Sequence, residues 1–367
     1  MIRLMYDYQI MLMQHYGGIS RYFYEVVTRM PKEEVDMRIP VIHNLNYYFA
    51  DYFHKPVRLI NNKKWYRRIV RFNRWYDKKL TEKGGKDIIF HPTYYNPYFL
   101  EGFQGKLVVT VHDMIHENYL EYFEGNATIA HKKLLMERAD KIIAVSHTTK
   151  KDIIKIYPQI DQNKIVVIHH GCDSRKQEIQ SAELEQKYAC FPRFILFVGI
   201  RVKYKNFMKF APAAANILSK NHDMGLVCVG GGELLPEEEA VFREKNCRDK
   251  VMQVAASDEE LTWLYQHASC FVFPSMAEGF GIPILEAWKN ECPVVAADTE
   301  CFREVGGDAV LFFDPDDAEM IEEKICEAFT EDTRRKLLDL GRERSAEFSW
   351  DKCANQHLEV YRQLGAT

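Results

Sequence analysis

The chain has 367 residues, of which 47 % are apolar and 28 % charged, with a formal net charge of −4. That length exceeds what one hydrophobic core usually supports, so two domains of roughly 150 to 200 residues are expected and a disordered chain is excluded. No apolar run approaches the roughly 18 residues of a bilayer span, and Ile2–Tyr6 is strand-like with no signal-peptide pattern before it, so a cytoplasmic protein is expected.

The nine cysteines all lie at or after Cys172 and include no C-x-x-C pair. Reduced, mostly buried thiols fit that pattern better than disulfides or a zinc site, and Asn126-Ala127-Thr128 then reads as an idle sequon. The charge is uneven: residues 1–175 carry 27 Lys and Arg against 19 Asp and Glu, and the remainder carries 22 against 34. A basic first half suits phosphate-bearing or membrane-surface partners, with a solvated charged face as the alternative.

Short β-rich runs recur between helix-length segments at Ile88–Phe90, Leu107–Val111, Ile142–Val145 and Ile165–Ile168. After a polar break from Gly171 to Phe191 the series restarts at Phe194–Val198 and continues through Leu226–Val229, Cys270–Phe273 and Val294–Ala297. This alternation predicts an α/β chain with two doubly wound, Rossmann-like domains and an interdomain cleft. The domain bounds are drawn at 1–175 and 190–347, with a helix at 348–367 returning to the first domain. In such sheets ligands sit outside the carboxyl ends of the strands, which directs attention to the loops after them.

The strongest motif follows a strand and opens a helix: Pro274-Ser275-Met276-Ala277-Glu278-Gly279-Phe280-Gly281-Ile282-Pro283-Ile284-Leu285-Glu286-Ala287. Pro283 suits a first helical turn, and Gly279 and Gly281 let backbone amides approach a ligand. A helix start of this kind attracts anions or polar sugar oxygens. Carboxylates repel phosphate and accept hydrogen bonds from hydroxyls, so Glu278 is assigned to sugar hydroxyls and Glu286 to ribose hydroxyls. The alternative is a capping Glu and a solvated helix Glu.

This segment resembles the E-x(7)-E signature of retaining glycosyltransferase family 4, and its mannosyltransferase-like branch is the nearest match. Other elements resemble the family in family order: Gly17-Gly18-Ile19-Ser20-Arg21-Tyr22, Val111-His112-Asp113, Val198-Gly199-Ile200-Arg201 with Lys205-Asn206, Asp258 to Leu261, and Arg303 to Asp308. Glu291 departs from it, standing where the family often has Gly before Pro293, a change expected to affect that turn and not the donor site.

The resemblance implies a GT-B fold and a retaining hexosyl transfer, in surface polysaccharide synthesis, from a nucleotide diphosphate sugar, with GDP-mannose favoured as donor. The acceptor would be a saccharide or a polyprenyl-diphosphate-linked saccharide held by the first domain. Arg201 and Lys205 would form the diphosphate clamp, replacing a metal at the leaving group. His112 would contact the donor sugar, and Gly17, Gly18, Gly279, Phe280, Gly281 and Ile282 would line the nucleotide sugar. Arg21 and Asp113 are candidates for acceptor or phosphate contact. No cofactor, metal or nucleic acid is expected.

Asp314-Pro315-Asp316 is formally a D-x-D, but a helix-like run from Ala318 to Phe329 makes Asp316 or Asp317 a better N-cap than a metal ligand. His112 and His116 are four apart, yet His112 ends a strand. The run Gly230-Gly231-Gly232-Glu233 lacks the G-x-G-x-x-G pattern, which counts against a nicotinamide enzyme. A GT-B epimerase and a non-catalytic sugar-nucleotide-binding protein remain as alternative functions.

Residues 63–79 form a basic, aromatic segment. As a helix it places Trp65, Ile69, Phe72 and Tyr76 on one stripe and Arg67, Arg71, Arg74 and Lys78 on the opposite one. The apolar stripe is expected in the core. The basic face is expected either in solvent or docked on the anionic inner face of the cell membrane, while insertion of the apolar stripe, the third alternative, is disfavoured because it would strip that face from the core.

Overall fold

The computed structural model describes residues 1–54, 57, 62–172 and 178–365. The chain divides into two compact units, the first comprising Met1–Gly171 with Trp350–Thr367 and the second Cys172–Ser349.

The first unit is built on a six-stranded parallel sheet of β1 (Ile2–Tyr6), β2 (Val35–Arg38), β3 (Ile88–His91), β4 (Lys106–Val111), β5 (Lys141–Ala144) and β6 (Ile165–Val167). Its spatial order is β2-β1-β3-β4-β5-β6. Helices cover both faces, which is why β3, β4 and β5 read as continuous apolar runs. One face packs Tyr22, Phe23 and Val26 of the helix Gly18–Thr28 against Trp350, Leu358 and Tyr361 of the C-terminal helix Trp350–Gly365.

The second unit carries β7 (Arg193–Val198), β8 (Met224–Val229), β9 (Val251–Val254), β10 (Cys270–Phe273), β11 (Val294–Ala297) and β12 (Val310–Phe313), all parallel. The order is β12-β11-β10-β7-β8-β9. Strand order therefore reverses between β7 and β10, and in the first unit between β1 and β3. Such reversals open a crevice at the carboxyl ends of the strands. All nine cysteines are free thiols, six of them buried.

One expectation changes. The helix Lys63–Gly84 does not bury the stripe of Trp65, Ile69, Phe72 and Tyr76: Trp65 is 57 % and Phe72 62 % exposed, and only Ile69 of the four packs against the core. Its buried residues are Asn73, Asp77, Thr81 and Gly84. Asn73 Oδ1 accepts from the Ile42 amide at 2.7 Å, and Thr81 Oγ1 donates to the Asp77 carbonyl at 2.7 Å. The face a hydrophobic count would bury is thus turned a quarter-turn away from the one the fold holds.

The helix after β12 spans Ala318–Ala328, and Asp317 is its cap, accepting from the Glu319 and Met320 amides at 3.0 Å. Asp316 pairs with Lys209 at 3.4 Å instead. Glu291 itself adopts the left-handed conformation at φ 56°, so the turn before Pro293 is one a glycine would make.

Candidate functional site

The two loops bordering the β7/β10 reversal are joined by backbone and side chain. After β7 a short 3₁₀ turn, Lys203–Lys205, ends at Asn206, whose left-handed backbone (φ 58°) starts the helix Phe207–Lys220. Asn206 is held by donation to the Pro315 carbonyl at 2.8 Å. The Met276 amide of the loop after β10 donates to the Tyr204 carbonyl at 2.9 Å.

Across that junction the Lys205 ammonium pairs with the Glu278 carboxylate. The Lys205 side chain is 16 % and the Glu278 side chain 14 % exposed, so the pair is largely shielded but still reachable. Lys205 Nζ also lies 5.4 Å from the Tyr204 ring and 5.7 Å from the Phe273 ring, which confine its swing. A cation and an acceptor-only group fixed side by side can receive a phosphate on one and sugar hydroxyls on the other.

The helix Ile282–Lys289 opens directly behind this pair. Gly281, its N-cap, has φ 102°, and a Cβ there would sit 3.2 Å from the Phe302 ring, so this position takes glycine for both conformation and space. Phe280 is 3 % exposed and packs edge-on to Phe348 at 5.6 Å. Its side chain belongs to the core, and its carbonyl accepts from the Cys301 thiol at 3.3 Å. Gly279 precedes it, and Ile282, two residues on, is the first helical residue. Glu286 is half-buried one turn in, where the Tyr265 hydroxyl donates to its Oε2 at 3.5 Å.

Arg201 is placed differently from Lys205. Its Nε donates to Glu238 Oε2 at 2.9 Å, Nη1 to the Gly230 carbonyl at 2.9 Å, and Nη2 to the Gly232 and Glu233 carbonyls at 2.8 and 2.7 Å. Gly230, Gly231 and Gly232 all have positive φ, and a Cβ on Gly231 would lie 2.8 Å from Arg201 Nη1. Arg201 therefore holds the glycine run after β8 in place. Both it (3 %) and Glu238 (1 %) are buried in their side chains. Glu238 is a residue the sequence reading missed. Its signal was the acidic helix start Pro236-Glu237-Glu238-Glu239, where it also accepts from the Leu235 amide at 2.8 Å.

In the first unit His112 follows β4 and is 8 % exposed. Its amide donates to the Tyr95 hydroxyl at 3.0 Å, and its ring stands edge-on to Tyr22 at 5.2 Å. Burial pushes its pKa down to about 4, so the imidazole is neutral at pH 7. Burial would raise the Asp113 carboxyl, but His116, Lys132 and the Ile115 amide outweigh it and hold Asp113 well below the usual carboxylate range. The Ile115 amide donates to Asp113 Oδ1 at 3.0 Å, and Lys132 Nζ stands 3.8 Å from the same oxygen.

Gly17 caps the helix Gly18–Thr28 in extended backbone. A second missed residue closes that helix start: Gln14 Oε1 accepts from the Ser20 amide at 3.1 Å, and a Cβ on Gly17 would meet it at 2.5 Å. Arg21 Nε lies 3.6 Å from Glu25. Across the β1/β3 reversal, buried Asp7 accepts from the Thr93 amide at 2.8 Å and from Gln9 Nε2 at 2.6 Å, so Asp7 ties the two loops of that crevice together.

With this geometry in view, comparison with known proteins is decisive. The model of Glycosyltransferase Family 4 matches residues 16–176, and that of Glycosyl transferases group 1 matches residues 174–344. O-antigen chain mannosyltransferase B of Escherichia coli is 30 % identical over 292 residues, 76 % of this chain and 75 % of the relative. The chain belongs to glycosyltransferase family 4.

Another relative of this family 4 member, O-antigen chain mannosyltransferase RfbU of Salmonella typhimurium, is 30 % identical over 57 % of each chain. Both relatives fit the mannosyltransferase-like branch. Sucrose-phosphate synthase from Thermosynechococcus elongatus superposes with a TM-score of 0.76 at 19 % identity, covering 99 % of each chain. HepE from Anabaena, solved in complex with UDP-glucose, gives 0.72 at 16 % identity over 98 % of this chain and 99 % of its own. These superpositions place the family 4 chain in the GT-B fold.

Proposed function

We propose that this glycosyltransferase transfers mannose from GDP-mannose, with retention and without a metal, to a saccharide or polyprenyl-diphosphate-linked saccharide in surface polysaccharide synthesis. The observation that carries the reading is the Lys205–Glu278 pair at the β7/β10 reversal, which joins the loop after β7 to the first carboxylate of the segment that carries the family signature. Mannosyltransferase relatives support the choice of sugar.

In this reading Lys205 neutralises the charge that builds on the departing diphosphate, assisted by the amides at Gly279, Phe280, Gly281 and Ile282. Arg201 acts at the same diphosphate through the loop it braces. Glu278 takes sugar hydroxyls in place of Lys205, Glu286 takes the ribose, and neutral His112 meets the donor sugar. Gly17, Gly18, Arg21 and Asp113 serve the donor or acceptor from the first unit. The acceptor oxygen attacks the anomeric carbon from the face the leaving group departs, the sugar–phosphate bond breaks, and the leaving phosphate oxygen takes the acceptor proton. The enzyme works on the cytoplasmic side, with the basic helix 63–79 in peripheral contact with an anionic membrane.

Thermal stabilisation by a panel of nucleotide sugars tests the donor. GDP-mannose at 100 times its dissociation constant should add about 2.7 kcal/mol to stability, with UDP-glucose as comparator. Stabilisation by UDP-sugars alone would overturn the donor assignment, and loss of turnover in EDTA with recovery in Mn²⁺ would overturn metal independence.

A further inference from the structure

The helix Lys63–Gly84 carries nine Lys and Arg residues against two carboxylates, and one of those, Asp77, is buried. It is moored by its inner face through Asn73, Ile69, Val70 and Tyr66, whose hydroxyl donates to the Leu12 carbonyl at 3.3 Å. Its outer face is unusual for a folded surface. Trp65, Phe72 and Trp75 are each more than half exposed, at 57, 62 and 59 %. Their spacing of seven and three residues sets them in a row about 15 Å long.

Between the rings stand Arg68 and Arg71, and among the described residues these five line an open groove of about 670 Å³. The Arg68 guanidinium lies 5.3 Å from the Trp65 ring, while neither Arg68 nor Arg71 forms an ion pair with a described residue. Large exposed aromatics that the core does not use mark an interaction surface. The chemistry of this one narrows its partner. Indole and guanidinium both join an apolar body to a polar end, and such side chains settle at the headgroup level of a bilayer. Guanidinium pairs with phosphate, and the nine-to-two charge excess selects an anionic surface.

We infer that this face docks on an anionic bilayer by insertion, with Trp65, Phe72 and Trp75 at the headgroup–acyl boundary and Arg68 and Arg71 on lipid phosphates. This deepens the peripheral contact proposed above, which needed only the bases. No helix among the described residues is long and apolar enough to cross a membrane, so the contact lies in the plane of the surface.

The full-length protein is mixed with phosphatidylglycerol or phosphatidylcholine vesicles, and sedimentation and tryptophan emission are read. Trp263, Trp288 and Trp350 are buried, so a vesicle-dependent blue shift, and quenching by lipids brominated in the upper acyl chain, report Trp65 and Trp75. The expected result is both signals with phosphatidylglycerol, and binding weakened about tenfold or more in the triple variant Trp65→Ser, Phe72→Ser, Trp75→Ser, which keeps every base. Circular dichroism and nucleotide-sugar affinity should be unchanged in that variant, and the quenching experiment on the unaltered protein needs no variant.

Binding of the triple variant equal to the parent would overturn insertion while leaving electrostatic docking standing. Absence of bromolipid quenching, equal binding to both vesicle types, a dimer that shields these tryptophans, or displacement of vesicles by single-stranded RNA would also overturn it. Failure of donor binding, by contrast, would strike only the transfer reading.

Discussion

Lys205 and Arg201 look equivalent on paper, two bases four residues apart after β7, yet their surroundings separate them. Lys205→Ala removes a cation whose partner is still reachable by ligand, so turnover should fall about 10²-fold or more with little change in melting temperature. Arg201→Ala strands a buried Glu238 and the carbonyls of Gly230, Gly232 and Glu233, so it should cost stability as well, about 3 to 5 kcal/mol by the usual cost of breaking a buried pair. Denaturant titration beside initial rates checks this. Equal stability of the two variants would contradict the bracing role of Arg201. Glu286→Gln should weaken binding of the free nucleoside diphosphate in calorimetry, and Glu278→Gln should chiefly slow turnover of the intact sugar nucleotide. An equal loss of affinity in both would contradict the ribose and sugar assignments. Sequence located these residues because loops after strands with glycine, proline and carboxylate punctuation are legible one by one. Which acceptor Arg201 serves was not legible, since Glu238 lies 37 residues away and meets it only through the fold.

At the level of elements, strands buried on both faces were read from sequence, and the ones passed over were β2, β9 and β12. All three lie at a sheet edge, where one side lacks a neighbour and residues such as Asp36, Arg38 and Gln253 interrupt the apolar run. The helix Lys63–Gly84 was legible as a helix but not in its orientation, because its moored face uses Asn73, Asp77 and Thr81 where a hydrophobic count sees nothing to bury. The C-terminal helix carries a prediction of its own. His357 Nδ1 donates to the Cys353 carbonyl at 2.7 Å, so Nε2 accepts from the Tyr22 hydroxyl at 2.5 Å and the ring is neutral. Burial lowers its pKa to about 4. Below pH 6.5 the unfolded chain takes up a proton here that the folded chain refuses, so this stability is present above the unfolded value and is lost as pH falls towards 4. At about 1.4 kcal/mol per pH unit the loss approaches roughly 3 kcal/mol. His357→Gln should flatten the slope of unfolding free energy between pH 6.5 and 4 by that order, and an unchanged slope would show that His357 is protonated in the fold.

Across the whole molecule the two sheets share one organisation: each reverses strand order once, and at each reversal a carboxylate ties loop to loop, Asp7 in the first unit and Glu278 in the second. Asp7 is spent on Thr93 and Gln9, whereas Glu278 holds a cation that a phosphate can take from it, which is why the donor is assigned to the second unit. The direct test is transfer itself: purified protein, GDP-[¹⁴C]mannose and a polyprenyl-diphosphate-linked saccharide, with excess EDTA present, followed by extraction of the lipid and determination of the new linkage. The expected result is label in the lipid-linked product as an α-mannoside, reduced about 10²-fold or more by Lys205→Ala. An inverted linkage, or label recovered only as an epimerised nucleotide sugar with no product in the lipid, would contradict it.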